Sequence, residues 1–121
     1  MCEKKYTEMI TIVQKSDEEW QRLSDEMTPE KMKLIQIIMG LSGEVGEIVD
    51  NIKNHIMYGK ELDLNNIIEE FGDLYWYLRA GLKSLGINYE DMKENTIKKL
   101  TKRYPGGYSR EKAIQRRDKE V

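Results

Sequence analysis

The chain carries only two prolines, Pro29 and Pro105. A proline inside a helix removes a backbone donor and clashes with the preceding turn, so their absence in between permits long helices there. Apolar residues in that stretch recur at helical spacing. Thr28-Pro29-Glu30 is a start signal: a hydroxyl cap, a proline at the first helical position and an acid near the positive helix end. From Pro29 to about Met57, the residues Ile38, Leu41, Val45, Ile48, Val49, Ile52 and Ile56 fall on one broad face. Tyr58-Gly59 ends this helix, and Asp63 can cap the next. That second long helix carries Ile67, Phe71, Leu74, Leu78, Leu82 and Leu85 and stops at Gly86. Asn88, with Asp91 three residues on, starts a further helix that Pro105-Gly106-Gly107 brings to an end. Ahead of Pro29, Tyr6, Met9, Ile10 and Val13 mark an amphipathic segment. Ser16 followed by Glu19 resembles a capping box that restarts the segment through Trp20 and Leu23. Residues 108–121 are mostly polar and read as a loose arm or as a short helix packed on a partner. No strand-like alternation and no fixed-period repeat occurs. The expectation is an all-α fold, a four- to five-helix bundle over residues 1–108 with a polar C-terminal arm over 109–121.

With 121 residues, 39% hydrophobic and 35% charged, the chain suits one domain with a modest core. Its apolar runs fall far short of the roughly 20 residues a membrane span needs. No basic segment followed by an apolar one opens the chain, so a cytoplasmic location is expected. The single cysteine, Cys2, can form no internal disulfide, which suits a reducing compartment. The net charge of −2 is unevenly spread: residues 93–121 sum to +6 and residues 1–92 to −8. Such asymmetry fits self-association of opposite surfaces, or a basic wall facing an acidic site. Nucleic-acid binding is not expected, because acids interrupt the basic residues and no aromatic stacking series accompanies them.

The two long helices share a local pattern, Glu44-Val45-Gly46-Glu47 and Glu70-Phe71-Gly72-Asp73. Residues three apart on a helix project in nearly one direction, so each pair points together. Each pair flanks the apolar stripe. If the stripes pack, four carboxylates converge beside the core, and Gly43, Gly46 and Gly72 clear room for a close backbone or ligand. Solvated helix acids are common, but none of these four has a Lys or Arg three or four positions away. Uncompensated acids near a core are unfavourable unless a cation meets them. Carboxylate oxygens suit the hard ion Mg²⁺, whose usual partners include substrate phosphates. The set does not suit zinc, with no cysteine near it and His55 the one histidine.

Asn51 and His55 continue the Glu44/Glu47 strip, and Tyr77 continues the Glu70/Asp73 strip. His55 also reads as a surface or helix-end residue, and Tyr77 as interfacial core. On the last long helix Asn95, Lys99 and Arg103 recur at four-residue steps. An acidic metal cradle opposite a Lys/Arg ladder is the minimum equipment for holding a polyphosphate, although the ladder reads equally as a solvated face. Trp20 and Trp76 are read as packing residues. Tyr75-Trp76-Tyr77 surrounds its helix, so part of that set is expected to meet another subunit.

Three segments taken together resemble the MazG-like nucleotide pyrophosphohydrolases of the all-α NTP pyrophosphatase superfamily. They are Gly40-Leu41-Ser42-Gly43-Glu44-Val45-Gly46-Glu47, Glu69-Glu70-Phe71-Gly72-Asp73-Leu74-Tyr75-Trp76-Tyr77-Leu78, and Asn95-Thr96-Ile97-Lys98-Lys99-Leu100 with Lys102-Arg103-Tyr104-Pro105. The resemblance runs over roughly Tyr6 to Tyr108; the segment before Pro29 and the tail after Tyr108 depart from the tightest family pattern. It implies a helical fold assembled as a homodimer or homotetramer, and Mg²⁺-dependent cleavage of an NTP or dNTP to a nucleoside monophosphate and pyrophosphate, with Mn²⁺ able to replace Mg²⁺. By position, Glu44, Glu47, Glu70 and Asp73 would bind the metal. Lys99 and Arg103 would contact phosphate, Tyr77 and Asn95 would touch substrate, and Lys53 is a further, weaker match. Glu47, with Glu44 behind it, is expected nearest the attacking water. Three readings remain beside this one: a narrower dUTP-, dCTP- or phosphoribosyl-ATP pyrophosphatase, an inactive helical interaction protein, and a nucleic-acid binder acting through the basic C-terminal region.

Overall fold

The computed structural model describes residues 1–119. Among these the fold is entirely helical, as the periodicity requires. Six α-helices follow in order: α1 Cys2–Val13, α2 Asp17–Asp25, α3 Pro29–Tyr58, α4 Leu64–Leu85, α5 Tyr89–Arg103 and α6 Arg110–Gln115, before a 3₁₀ turn at Arg117–Lys119. The expected restart at Ser16 accounts for the fifth helix, and the Ser109 cap opens a further short one. The Ser16 hydroxyl accepts from the Glu19 amide at 3.1 Å and separates α2 from α1. The Ser109 hydroxyl accepts from the Lys112 amide at 3.1 Å and starts α6. No described helix is long and apolar enough to cross a membrane.

The chain divides into two compact units, residues 1–33 and residues 34 onward. In the first, Tyr6, Met9, Ile10 and Val13 line one face of α1, which buries none of its residues. Arg22 bridges Glu19 and Glu26 along α2. The Thr28 hydroxyl accepts from the Lys31 amide at 3.2 Å and fixes the start of α3.

The second unit is built on a helical hairpin. Gly40 of α3 lies against Tyr77 of α4, Ile37 lies against Gly81, and Glu47 lies near Glu70. As one number rises the other falls, so α3 and α4 run antiparallel. The approach is close enough that a Cβ on Gly40 would collide with the Tyr77 ring, and one on Gly81 would stand 3.2 Å from Ile37 Cγ2. Gly40, Asn54, Asn66, Ala80 and Leu82 are shielded, and the other shielded positions fall in two sets, Leu34, Ile37, Leu41, Glu44, Ile48 and Asn51 on α3 and Ile67, Glu70, Leu74, Tyr77 and Gly81 on α4. Steps of three and four residues join each set, which makes each a single helix face. This seam is not centred on the stripe the sequence pattern emphasises. Ile37 is the buried residue of α3, whereas Ile38, Val45, Val49 and Ile56 remain exposed.

The α3–α4 turn is closed by Gly59, in the left-handed region at φ 65°, and by His55, whose Nδ1–H donates to the Lys60 carbonyl at 2.7 Å. Asp63 caps α4 through the Asn66 amide at 3.1 Å. Gly86, at φ 68°, ends α4, with the Ile87 amide donating back to the Leu82 carbonyl at 2.9 Å. Asn88 caps α5 through the Asp91 amide at 3.1 Å. Where α4 meets α5, the Tyr75 and Tyr89 rings stand edge to face with centroids 6.5 Å apart. The Arg79 guanidinium lies 4.2 Å from the Tyr89 centroid and donates to the Tyr75 hydroxyl at 2.8 Å. α6 and the 3₁₀ turn fold back onto α5 of the same chain.

Candidate active site

The α3–α4 seam that buries Ile37 and Ile67 also carries acids. Glu44 and Glu47, one turn apart on α3, meet Glu70 from α4. One oxygen from each lies within 4.8 Å of the others. Glu70 is 9% exposed, Glu44 is half-buried and Glu47 faces solvent. Three carboxylates so placed cannot all be ionised without a counter-charge. Hydrogen bonding to Glu44 first, then to Glu47, together with burial, pushes the Glu70 carboxyl up to about 8. Glu44 Oε2 is buried and has no hydrogen-bond partner. None of the ion pairs among the described residues involves these three acids.

Asp73 does not join the trio; it lies one turn beyond Glu70 and is exposed. The glycines between the acids do not admit a neighbouring helix either. A Cβ on Gly43, Gly46 or Gly72 would meet nothing within 4 Å, and the close helix approach is at Gly40 and Gly81 instead.

A shallow cleft adjoins the trio. Glu47 and Glu70 form part of its wall, with Asp50, Asn51, Asn54 and Asn66 completing it. Three carboxamides offer both donors and acceptors beside an acidic cluster, which suits the hydroxyls or ring edges of a polar ligand. Asn51 was visible as a continuation of the Glu44/Glu47 strip. Asn54 lies on the same side of α3, seven residues beyond Glu47, and that spacing was its available signal. Asn66 comes from the first turn of α4, four residues before Glu70, and that spacing was its available signal.

The remaining candidates scatter. Tyr77 packs over Gly40, with its ring edge-to-face on Trp76 at 5.1 Å, so its position is the interfacial one. His55 closes the α3 turn and does not approach the acids as a ligand. Lys53 is exposed and sits 3.6 Å from Asp50. Asn95 and Lys99 line a second shallow cleft on α5, with Asp91 and Thr96. Arg103, at the end of α5, is held by Asp118: Nε donates to Oδ1 at 2.6 Å and Nη2 to Oδ2 at 2.8 Å. This bidentate pair raises the Arg103 pKa above its ordinary value and draws the Asp118 carboxyl down to about 2. Sequence reasoning missed Asp118, which lies fifteen residues beyond its partner in a polar tail.

The family model of the MazG nucleotide pyrophosphohydrolase domain matches residues 32–108, well over half of the chain. The chain belongs to this family. No curated protein and no solved structure matches it. The MazG match takes in nearly all of α3 and the whole of α4 and α5, and therefore all three acids of the trio. Membership carries nucleotide pyrophosphohydrolase activity as the family's chemistry, and a nucleotide as the class of substrate. α6 and the 3₁₀ turn that carries Asp118 lie beyond the matched span.

Proposed function

We propose that this MazG protein is a Mg²⁺-dependent nucleoside triphosphate pyrophosphohydrolase that converts an NTP or dNTP to its monophosphate and pyrophosphate. One observation carries the reading: Glu44, Glu47 and Glu70 bring their oxygens within 4.8 Å of one another across two helices. The donor set fits a hard divalent cation. It is all carboxylate, it lacks a cationic partner, and it leaves a buried Glu44 oxygen without a hydrogen bond. Asp73, exposed one turn further along α4, is close enough in sequence to serve as a fourth ligand once a cation and a polyphosphate are present. Mn²⁺ offers the same preference for oxygen and would substitute. A bound divalent cation would supply charge neutralisation at the phosphates and an acidified water.

The chain's own residues then divide the remaining work. Glu47, the exposed member of the trio, would accept a proton from an attacking water, with Glu44 behind it. Lys99, and the donors of Arg103 that Asp118 leaves over, would take up charge on the leaving pyrophosphate. The amide-lined cleft of Asn51, Asn54 and Asn66 would hold the polar edge of the nucleoside. Tyr77, Asn95 and Lys53 stay as outlying substrate contacts. The exposed apolar rows on α3 and α4 support assembly as a homodimer or homotetramer.

The test is pyrophosphate release from a panel of NTPs and dNTPs, dUTP included, with Mg²⁺ and with EDTA. Release that requires Mg²⁺ and yields a monophosphate supports the reading and ranks the substrates. No release from any nucleotide at high protein concentration would count against it and favour a helical scaffold that has lost activity.

A further inference from the structure

We infer that Asp118, in the C-terminal segment beyond the matched family domain, is a positioning residue that sets the Arg103 guanidinium for phosphate. The inference rests on the phosphate-binding role proposed above for Arg103. Arginine has five N–H donors in a rigid fork, and a carboxylate that takes Nε and one Nη2 proton fixes the plane of the whole group. Both Asp118 oxygens are used in this way, at 2.6 and 2.8 Å. The Tyr104 ring lies beside the same guanidinium, its centroid 5.9 Å from Arg103 Cζ. Nη1 is left without an ion pair among the described residues.

The burial of the two partners decides between positioning and blocking. The Asp118 side chain is 1% exposed, while that of Arg103 keeps 17%. A carboxylate acting as a stand-in for substrate would need to be displaceable, hence accessible. This one is sealed, and the arginine is the member of the pair that keeps exposed surface.

The segment that carries Asp118 is fastened independently. Lys112 Nζ donates to the Pro105 carbonyl, and to that of Gly107 at 3.2 Å. Ser109 caps α6, and Arg116 turns the chain at φ 49° immediately before the 3₁₀ turn. Asp118 thus reaches Arg103 from a scaffold tied to the Pro105-Gly106-Gly107 loop. A long, flexible arginine on the last residue of a helix gains most from such a support, because a small misplacement of a charge-stabilising group is expensive in rate.

The test compares wild type with Asp118→Asn, Asp118→Glu, Arg103→Lys and the Arg103→Lys/Asp118→Asn double variant. KM and kcat are measured by pyrophosphate release on the best nucleotide, and the Arg103 Nε–H signal is followed by ¹⁵N NMR. The expected result for Asp118→Asn is a rise in KM of about tenfold with a smaller change in kcat. The Arg103 Nε–H should lose its protection from solvent exchange. Asp118→Glu should fall between the two, and Asp118→Asn should add little in the Arg103→Lys background, since Asp118 acts through Arg103. An unchanged KM in a folded Asp118→Asn overturns the proposal and leaves a structural clamp. A lower KM overturns it in favour of a blocking contact. If Asp118→Asn does not fold, Asp118→Ser takes its place, and a wild-type KM in that folded variant is equally decisive against the proposal. Wild-type turnover with a silent Asp118 would sink the positioning role alone. A wild type that releases no pyrophosphate would sink the functional reading, and the positioning role with it.

Discussion

Glu70 illustrates how one side chain links the site to stability. Its carboxyl is pushed up from an ordinary value of 4.5 to about 8 by hydrogen bonds to Glu44 and Glu47 and by burial. Between those values the folded chain holds a proton that the unfolded chain has lost. Stability therefore falls as pH rises through this window, and the loss is complete above about 8. Thermal melts of the metal-free protein should show Tm decreasing from about pH 5 to about pH 9, with Glu70→Gln flattening the trend. A divalent cation competes with that proton, so the Tm gain on adding Mg²⁺ should grow with pH; a gain independent of pH would argue that Mg²⁺ does not bind at the trio. Asp118 behaves oppositely. Its carboxyl is lowered from 3.8 to about 2 by Arg103, so its contribution is intact above 3.8, is lost as pH falls through 2, and leaves the Glu70 window undisturbed. For turnover, Glu47→Gln at saturating Mg²⁺ should reduce kcat by at least about 100-fold. Full activity in that variant would remove Glu47 from the proton-transfer role.

At the level of elements, the sequence was read well where the signals are local. Ser16, Thr28, Asp63 and Asn88 all accept the amide bonds expected of them, and Gly86 adopts the left-handed stop. These are interactions over three or four residues, and composition alone encodes them. The packed face of α3 was less legible. Its many apolar residues surround the helix so fully that periodicity does not single out Ile37 and Gly40 over Ile38 and Val45. The two glycines that set the α3–α4 distance, Gly40 and Gly81, gave no signal, since in sequence they resemble the glycines between the acids. Gly40→Ala should therefore destabilise the chain, with a cost of about 1–3 kcal/mol from overpacking against the Tyr77 ring. Gly43→Ala meets no neighbour within 4 Å and should be neutral or slightly stabilising through helix propensity. Urea unfolding of the two variants side by side separates these outcomes.

For the molecule as a whole, the exposed surface is the dominant fact. The buried apolar core among the described residues consists of Ile37, Ile67 and Leu82, while Ile68 and Phe71 on α4 are 67% and 54% exposed. A single chain with so small a core is marginal, and the proposed self-association would cover apolar rows of this length. Light scattering after size exclusion should give a mass of two or four chains, and Ile68→Glu should shift it towards the monomer with a lower Tm. A wild type that runs as a stable monomer would refute this. Three of the four expected acids were legible: Glu44 and Glu47, three apart on α3, point together and the antiparallel hairpin brings Glu70 to them, whereas Asp73 stays outside. The Arg103–Asp118 pair was not, because it depends on how a polar tail returns over a Pro-Gly-Gly turn, and no periodic pattern encodes that.

The trio draws on both arms of the hairpin, with Glu44 and Glu47 on α3 and Glu70 on α4. A cation seated among them would behave as a removable rivet between two helices otherwise joined by a short turn and a thin apolar seam. Without the ion, the Glu70 proton bridges the arms to Glu44 and Glu47 only below about pH 8, and above that value the like charges pry them apart. Chelation should then do more than silence chemistry. It should raise amide exchange along the facing sides of α3 and α4 near Glu44 and Glu70, and leave the caps at Ser16 and Asn88 undisturbed.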